Sequence, residues 1–532
     1  MHGRWNAALV PSAEQTVPTP TLSIWSETYM KRVLLHLVVF IALILSSWPA
    51  LAHVGSADVY YEGDAGPYHL FVTVKLPQVI PGIAEMQVRS ATPDVQRIQT
   101  VLLRLTGPGS NLPSAPDFAQ RSKDDPQFFV SNLWFMEYGA LQVRIEADGA
   151  KGKASLAVPI ASFPRQSLPM SPWLRVLGIV ILVGLTLSIV PIIGGVVREA
   201  TVPPGELPQP SHRRRARSVM AFTLVATIGL LYANRTLWSA EAATYERSVE
   251  LLKPRRVVTT IEDQNRLVLR LASPLMLPVA GRGKVTREIK MADVIPDHGH
   301  LMHLFLIGAP GMNRLWHLHP DRAGETFTQR LPAMPGGQYR VFAEIVDNNG
   351  FPWTLVGELA LPQLTGGAPA GDDSQWEGAP LSSASPEASS ATLPDGARLI
   401  WEKPSAPLKA NVPTSFRFRV ESKDGSPEPL EPYMGMAAHM VVMCSDLSVF
   451  AHLHPTGSVS MAAVDMAQAG LFAQAPAGAP PTSMGTMMHS QAKLPPTFSV
   501  PYGIPHPGQY RFVVQIKRSG QVQTAAFDTR VQ

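Results

Sequence analysis

The sequence predicts a mainly β protein: three Ig-like or cupredoxin-like β-sandwiches on a two-helix transmembrane hairpin, behind an N-terminal signal peptide. Three observations predict it. The 50 Pro and 40 Gly, against only 16% charged residues, favour short strands and frequent turns over helical bundles. Two apolar stretches in the middle of the chain, 176–197 and 218–234, are long enough to cross a bilayer core. The third is a repeat: "LWHLHPD" at 315–321 and "FAHLHPT" at 450–456 carry the same His-Leu-His-Pro.

Residues 1–29 lack apolar periodicity and read as a polar leader or a mis-assigned start. From Met30 the pattern sharpens. Lys31 and Arg32 precede the apolar run "VLLHLVVFIALILSSW" and then Ala50-Leu51-Ala52, which together read as a secretory signal peptide over 30–52, cut after Ala52. Segment 53–162 then reads as an exported β-sandwich, with strand-like runs such as "YHLFVTVKL" and the strictly alternating "LQVRIEA". Two transmembrane helices follow, 173–197 and 218–238, around an Arg-rich loop at 198–217 that holds Arg198, Arg213, Arg214, Arg215 and Arg217. The positive-inside rule places that loop in the cytoplasm and the large flanking parts outside, in a multi-pass protein of the cytoplasmic membrane facing the periplasm or extracellular side. A net charge of +4 with its excess Arg in one cluster leaves no basic face for nucleic acid.

Beyond a short helical stalk at 240–252, two further sandwiches are expected at 253–362 and 396–532, joined by a Gly/Ala/Ser/Pro-rich linker at 363–395 that lacks the residues of a core. The two repeat each other. "HLFLIGAPGMNRLWHLHPD" lies over "HMVVMCSDLSVFAHLHPT", matching His303 with His439, His317 with His452 and His319 with His454. "PGGQYRVFAEIV" lies over "HPGQYRFVVQIK". The second copy carries an insertion at roughly 457–495, rich in Ala, Pro and Met.

On a strand, residues i and i+2 face one side about 6.6 Å apart. His317 with His319, and His452 with His454, can therefore converge on a metal ion. His303 and His439, on the preceding strands, supply a third imidazole if each strand pair is a hairpin. Pro320 and Pro455 would end those strands and hold the pair at a sheet edge. Three imidazoles suit copper, zinc or nickel. Loop-holding hydrogen bonds are the competing role for these histidines, and His298 and His300 are further ligand candidates at close spacing, with a solvated loop as their competing role.

Methionine points to copper, since thioether with imidazole selects Cu(I). Met434, Met436 and Met440 share one parity and read as the core face of a strand. Met484, Met487, Met488 and His489 lie in the insertion, where packing explains them less well and soft-metal capture is expected. His53 becomes the first residue after cleavage, and its α-amino group and imidazole can chelate Cu(II) together. Cys444 is the only cysteine and reads as a small buried hydrophobe.

The exported segment "AHVGSADVYYEGDAGPYHLFVTVKLPQVIPGIAEM" resembles YtkA-like and copper-resistance-protein-C-like periplasmic β-sandwiches. The unit "YMGMAAHMVV…FAHLHP…PGQYRFVVQIK…GQVQTAAF" resembles a domain of exported bacterial membrane proteins. The first resemblance implies that the mature N-terminal histidine, here His53, takes part in Cu(II) binding. No distal Asp/His pair in 53–160 matches the rest of that family's site.

No hydrolase triad or phosphate loop is evident, and on a strand Cys444 points away from His439 and Met443, against a blue-copper centre. The expected function is a non-catalytic, membrane-anchored envelope protein that sequesters or delivers a metal, copper first, to envelope or metal-handling partners. The competing reading is a structural or interaction protein with architectural histidines.

Overall fold

The computed structural model describes residues 53–54, 56, 58–110, 115–278, 286–382, 387–472 and 493–532. The leader and signal peptide at 1–52 lie outside these residues, as do Met484, Met487, Met488 and His489.

Strands dominate, as the Pro- and Gly-rich composition requires. Segment 53–162 folds into two sheets. The five-stranded one is built on Val59–Ala65, Tyr68–Lys75, Gly82–Ser90 and Phe128–Phe135, and the four-stranded one on Val95–Arg104, Gly139–Gly149 and Gly152–Ser162. Alternating residues from both sheets, among them Leu70, Met86, Ile98, Leu133, Ile145 and Val158, share one core. This is the sandwich arrangement that strand alternation demands.

Two helices among the described residues, Pro172–Glu199 and Pro210–Leu251, are long and apolar enough to cross a membrane. The 28-residue helix is about 42 Å long, more than a bilayer core needs. Where the sequence suggested an Arg-rich loop at 198–217, the structure places Arg213 to Arg217 inside the second helix, and only about ten residues connect the two helices. Pro210 explains the start, because its fixed φ and missing N–H suit the first helical position. The expected stalk is the last part of the same helix. It ends against the first sandwich, where the Ile80 amide donates to Tyr245 Oη at 3.0 Å.

A ten-stranded sheet follows. Its order begins at Asp321–Ala323 and ends at Arg314–Leu318 and Ser374–Glu377. Arg314–Leu318 runs into Asp321–Ala323 after two residues, so the sheet folds back and encloses a core around Trp316, Phe327, Leu267 and Trp353. The last unit pairs His439–Cys444, Val449–Leu453, Gly508–Arg518 and Gln521–Val531 in one sheet, with Arg398–Glu402, Thr414–Glu421 and Thr497–Tyr502 in a second. Trp401, Phe416 and Phe512 fill the space between.

The repeat legible in the sequence is a repeat of strand pairing. His303–Ala309 lies between Arg314–Leu318 and Gly337–Asp347, just as His439–Cys444 lies between Val449–Leu453 and Gly508–Arg518. Tyr339 Oη donates to the Pro335 carbonyl at 2.6 Å and its counterpart Tyr510 Oη to the His506 carbonyl at 2.9 Å. The two copies pack face to face through matching positions. Phe305, Ile307, Leu315 and Phe342 from one meet Val441, Met443, Phe450 and Val513 from the other in one shared core, with Phe342 stacked on Phe450 at 4.1 Å. All described residues lie within one compact unit, Ala52–Gln532.

The linker differs from its expected role. Ser374–Glu377 adds to the edge of the Arg314–Leu318 strand, with Ser374 opposite His317, and Ser390–Thr392 starts the last unit's second sheet. The Arg314–Leu318 strand is thus not a bare edge, and in the second copy His53–Val54 pairs in parallel with Val449 and Phe450 at the start of Val449–Leu453.

Candidate metal centre

Each His-x-His strand ends at the rim of the shared core, so the face-to-face packing brings both pairs to one place. His298, His300, His303, His317, His319, His439, His452 and His454 form a continuous cluster, each ring centroid within 3.9–5.4 Å of at least one other. Two trios have ligand nitrogens within 4.8 Å of one another: His303, His317 and His319, and His298, His439 and His454.

The first trio has the hydrogen-bond pattern of metal ligands. His303 turns Nδ1 toward His317 Nε2 at 3.1 Å, while its other nitrogen donates to the Asp297 carbonyl at 3.1 Å. His317 donates from Nδ1 to Gln515 Oε1 at 3.0 Å. His319 donates from Nδ1 to Asp373 Oδ1 at 2.9 Å, which leaves its buried Nε2 without a hydrogen-bond partner. Each ring thus spends one nitrogen on an outer acceptor and aims the other inward, which fixes the tautomer and raises ligand basicity. An ion bound at about 2.0–2.1 Å by three tetrahedrally disposed nitrogens needs them roughly 3.4 Å apart. The 3.1 Å His303–His317 separation is already close to that.

The second trio is held more loosely. His298 and His454 face each other through Nε2 at 3.1 Å, and His454 Nδ1 donates to the Val459 carbonyl at 3.3 Å. Both ring nitrogens of His439 are buried and unpartnered. His452 lies between the trios, its ring 5.4 Å from His303 and from His317 and 4.6 Å from His454. It donates from Nδ1 to Glu344 Oε2 at 3.0 Å, and its buried Nε2 has no partner. Burying a polar nitrogen without a hydrogen bond costs about 1–3 kcal/mol. Several such nitrogens at one point are costly unless something binds them.

Burial also sets the charge state. Desolvation, reinforced by neighbouring imidazoles, holds His303, His317, His439 and His452 well below the usual histidine range and brings His298 and His454 down to about 3. His319 is also lowered by desolvation, against the pull of Asp373. At neutral pH these seven rings are therefore neutral imidazole, the form that binds metal. Burial raises Glu344 to about 8, and Asp297 adds to the rise.

Of the residues singled out in the sequence, His303, His317, His319, His439, His452 and His454 come together, with His298 and His300. His300 stacks on His319 at 3.9 Å and donates to Asp372 at 3.3 Å. His53 starts the short strand opposite Val449, three positions before His452. Asp297, Glu344, Asp372, Asp373 and Gln515 were missed. Asp372 and Asp373 lie in the presumed linker, while Glu344 and Gln515 occupy matching places in the repeated Gly-Gln-Tyr-Arg strand. Met434 and Met436 do not lie on a strand: they belong to a tight turn, Tyr433 to Met436, closed by reciprocal backbone bonds. Met440 is buried core, Cys444 lies on the same face as Met440, and Met443 faces the other way, as alternation predicts. Met461, in the insertion, opens the helix Met461–Phe472 and packs into the first sandwich's core.

A family described as a domain of unknown function (DUF8832) matches residues 391–532. No curated protein matches the chain. Among solved structures, the chain is similar to an ICAM-5 D1–D4 ectodomain fragment at 11% identity and a TM-score of 0.14, covering 87% of this chain and 77% of that one. Similarity to the E. coli alpha-2-macroglobulin is 9% identity at a TM-score of 0.15, with 89% of this chain and 25% of that one covered. A putative membrane anchored protein from Corynebacterium diphtheriae gives 9% identity and a TM-score of 0.13, over 89% and 94%. Scores this low carry no argument about function.

Proposed function

We propose that this chain is a membrane-anchored envelope protein that binds a transition metal, copper first, in the interior histidine cluster and sequesters or delivers it without catalysing a reaction. One observation carries the reading: His303, His317 and His319 each commit one ring nitrogen to an outer acceptor and leave the other facing the same point. A histidine set that only held loops would use its nitrogens up in hydrogen bonds. Neutral imidazoles suit copper, zinc and nickel, and among these copper binds most tightly. The Met484, Met487, Met488 and His489 segment would add soft ligands for capture.

The rest of the reading is topological. The three sheet assemblies are three β-sandwiches, of which the first, beginning at His53 after signal cleavage, is of the YtkA-like or copper-resistance-protein-C-like kind. Arg213 to Arg217 lie on the cytoplasmic side and the histidine centre outside. Metal analysis of the detergent-purified chain, with copper and zinc titrations, tests the core claim. Copper retained through gel filtration supports it. A metal-free protein that binds neither ion leaves the histidines as architecture.

A further inference from the structure

The cluster is less symmetric than the duplication that built it, and one residue stands where symmetry calls for a ligand. His298 reaches the second trio from a tight turn, Asp297 to His300, closed by reciprocal backbone bonds between its ends. His298 has φ +54° and Gly299 φ +85°. The second copy has the same turn five residues before its own strand histidine: Tyr433-Met434-Gly435-Met436 ahead of His439, as Asp297-His298-Gly299-His300 stands ahead of His303. Met434 has φ +48° and Gly435 φ +83°, and Tyr433 and Met436 exchange the matching backbone bonds. A left-handed conformation is costly for a residue with a Cβ and is kept where the surroundings enforce it. Gly at the following position is the residue that takes such a φ freely.

The halves are also related reciprocally. His317 of the first copy donates to Gln515 of the second, while His452 of the second donates to Glu344 of the first, and these four residues are two matched pairs. A two-fold relation of this kind makes every contact appear twice with the roles exchanged. His298 of the first copy serves His439 and His454 of the second. The same relation aims residue 434 of the second copy at His303 and His319 of the first. Met434 is buried, and its backbone lies beside the His298 ring.

We infer that Met434 is the thioether counterpart of His298 and completes the His303, His317 and His319 trio as a fourth, soft ligand. The inference rests on the metal-binding reading above and sharpens it. One ion would sit in a three-imidazole, one-thioether site selective for Cu(I), and a second in the all-imidazole site of His298, His439 and His454, suited to Cu(II) or Zn(II).

The test uses the full-length protein in detergent with Met484, Met487 and Met488 replaced by Leu, so that the capture segment adds no sulfur, loaded with Cu(I) and examined by X-ray absorption, with affinity measured against a competing Cu(I) chelator. One sulfur scatterer per chain is expected in this background, and it should vanish when Met434→Leu, a substitution close in volume, is added. Cu(I) affinity of one ion should fall about 10–100-fold while Zn(II) uptake stays constant, the size of effect seen when one supporting group is lost. Met434→His should restore a bound ion and move its preference to Cu(II). Met436→Leu, at a side chain packed against the first sandwich's core, should change nothing. Copper bound by nitrogen alone in this background, or a sulfur signal that persists in Met434→Leu or Met434→His, overturns the inference while the histidine centre stands. Should wild type bind no metal, both readings fall.

Discussion

The two copies of the repeat differ most where they are most alike in backbone. Both present a tight turn, a strand histidine and a His-x-His pair, and both oppose the strand histidine with a polar residue, Glu344 across from His303 and Gln515 across from His439. Yet the first trio is braced by two carboxylate- or amide-bearing side chains, Gln515 and Asp373, and by the Asp297 carbonyl, whereas the second has only backbone groups beside it, the Val459 carbonyl at His454 and the Met434 backbone at His298. The contrast teaches that duplication supplied three imidazoles to each copy, while differences at the turn residue and in the surrounding shell made two unlike sites. Affinity and exchange should follow the shell rather than the histidine count.

The largest effect should come from removing two ligands at once. His317→Ala with His319→Ala is expected to abolish binding of one ion and leave the second, whereas His452→Ala with His454→Ala should weaken the second and spare the first. Metal content per chain after dialysis checks both. Equal loss from either pair would merge the two sites into one and erase the contrast.

Next comes stability at the matched arginines. Arg511 is buried, bonded to Asp528 at 2.7 Å and to the Met312 and Ala379 carbonyls across the interface. Its counterpart Arg340 pairs with Glu358 at the surface. Arg511→Ala should cost about 3–5 kcal/mol by stranding Asp528, and Arg340→Ala about 0.5 kcal/mol or less. Urea unfolding midpoints measure the difference.

Asp373→Asn keeps the shape but weakens the acceptor for His319. It should lower affinity at the first trio about 10–100-fold and leave the second alone, as read by stepwise titration.

The smallest effect separates Glu344 from Gln515 by pH in the metal-free protein. Glu344, raised to about 8 from its ordinary 4.5, holds a proton when folded that the unfolded chain releases between those values. Its contribution to stability therefore falls as pH rises through that window, and Glu344→Gln should flatten that part of the profile. His298 and His454 act in the opposite sense. With folded values near 3 against 6.5, they make the unfolded chain bind more protons, so stability is full above 6.5 and falls as pH drops toward 3. A denaturant midpoint independent of pH from 4 to 8 would contradict both assignments.

Much of this was legible in the chain. Alternation marked the strands, apolar length marked both helices, and matching His303 with His439 marked the repeated order of strands. Three things were hidden. The long-range partners Asp372 and Asp373 sit in a Gly/Ser/Pro-rich stretch whose composition signals a linker, because one short strand and two carboxylates leave no periodic trace. The convergence of the two His-x-His pairs depends on which sheet faces pack, and a face apolar in both copies does not name its partner. The equivalence of the two turns is the third: "DHGH" and "YMGM" occupy the same offset, but without the left-handed backbone at His298 and Met434 nothing marks them as one element.

Segment 363–395 crosses from one copy to the other and threads Ser374–Glu377 against the His317 strand. Were the copies separate chains, their face-to-face contact would be a symmetric dimer. Any change made on one side would then appear on the other, and assembly would depend on concentration. A tether of this kind holds its ends at effective concentrations on the order of millimolar, so the contact persists however dilute the protein. It also releases the copies from identity. One can carry a His-Gly-His turn while the other carries Met-Gly-Met, a chemical asymmetry that a true two-fold dimer encoded by one repeat is unable to express.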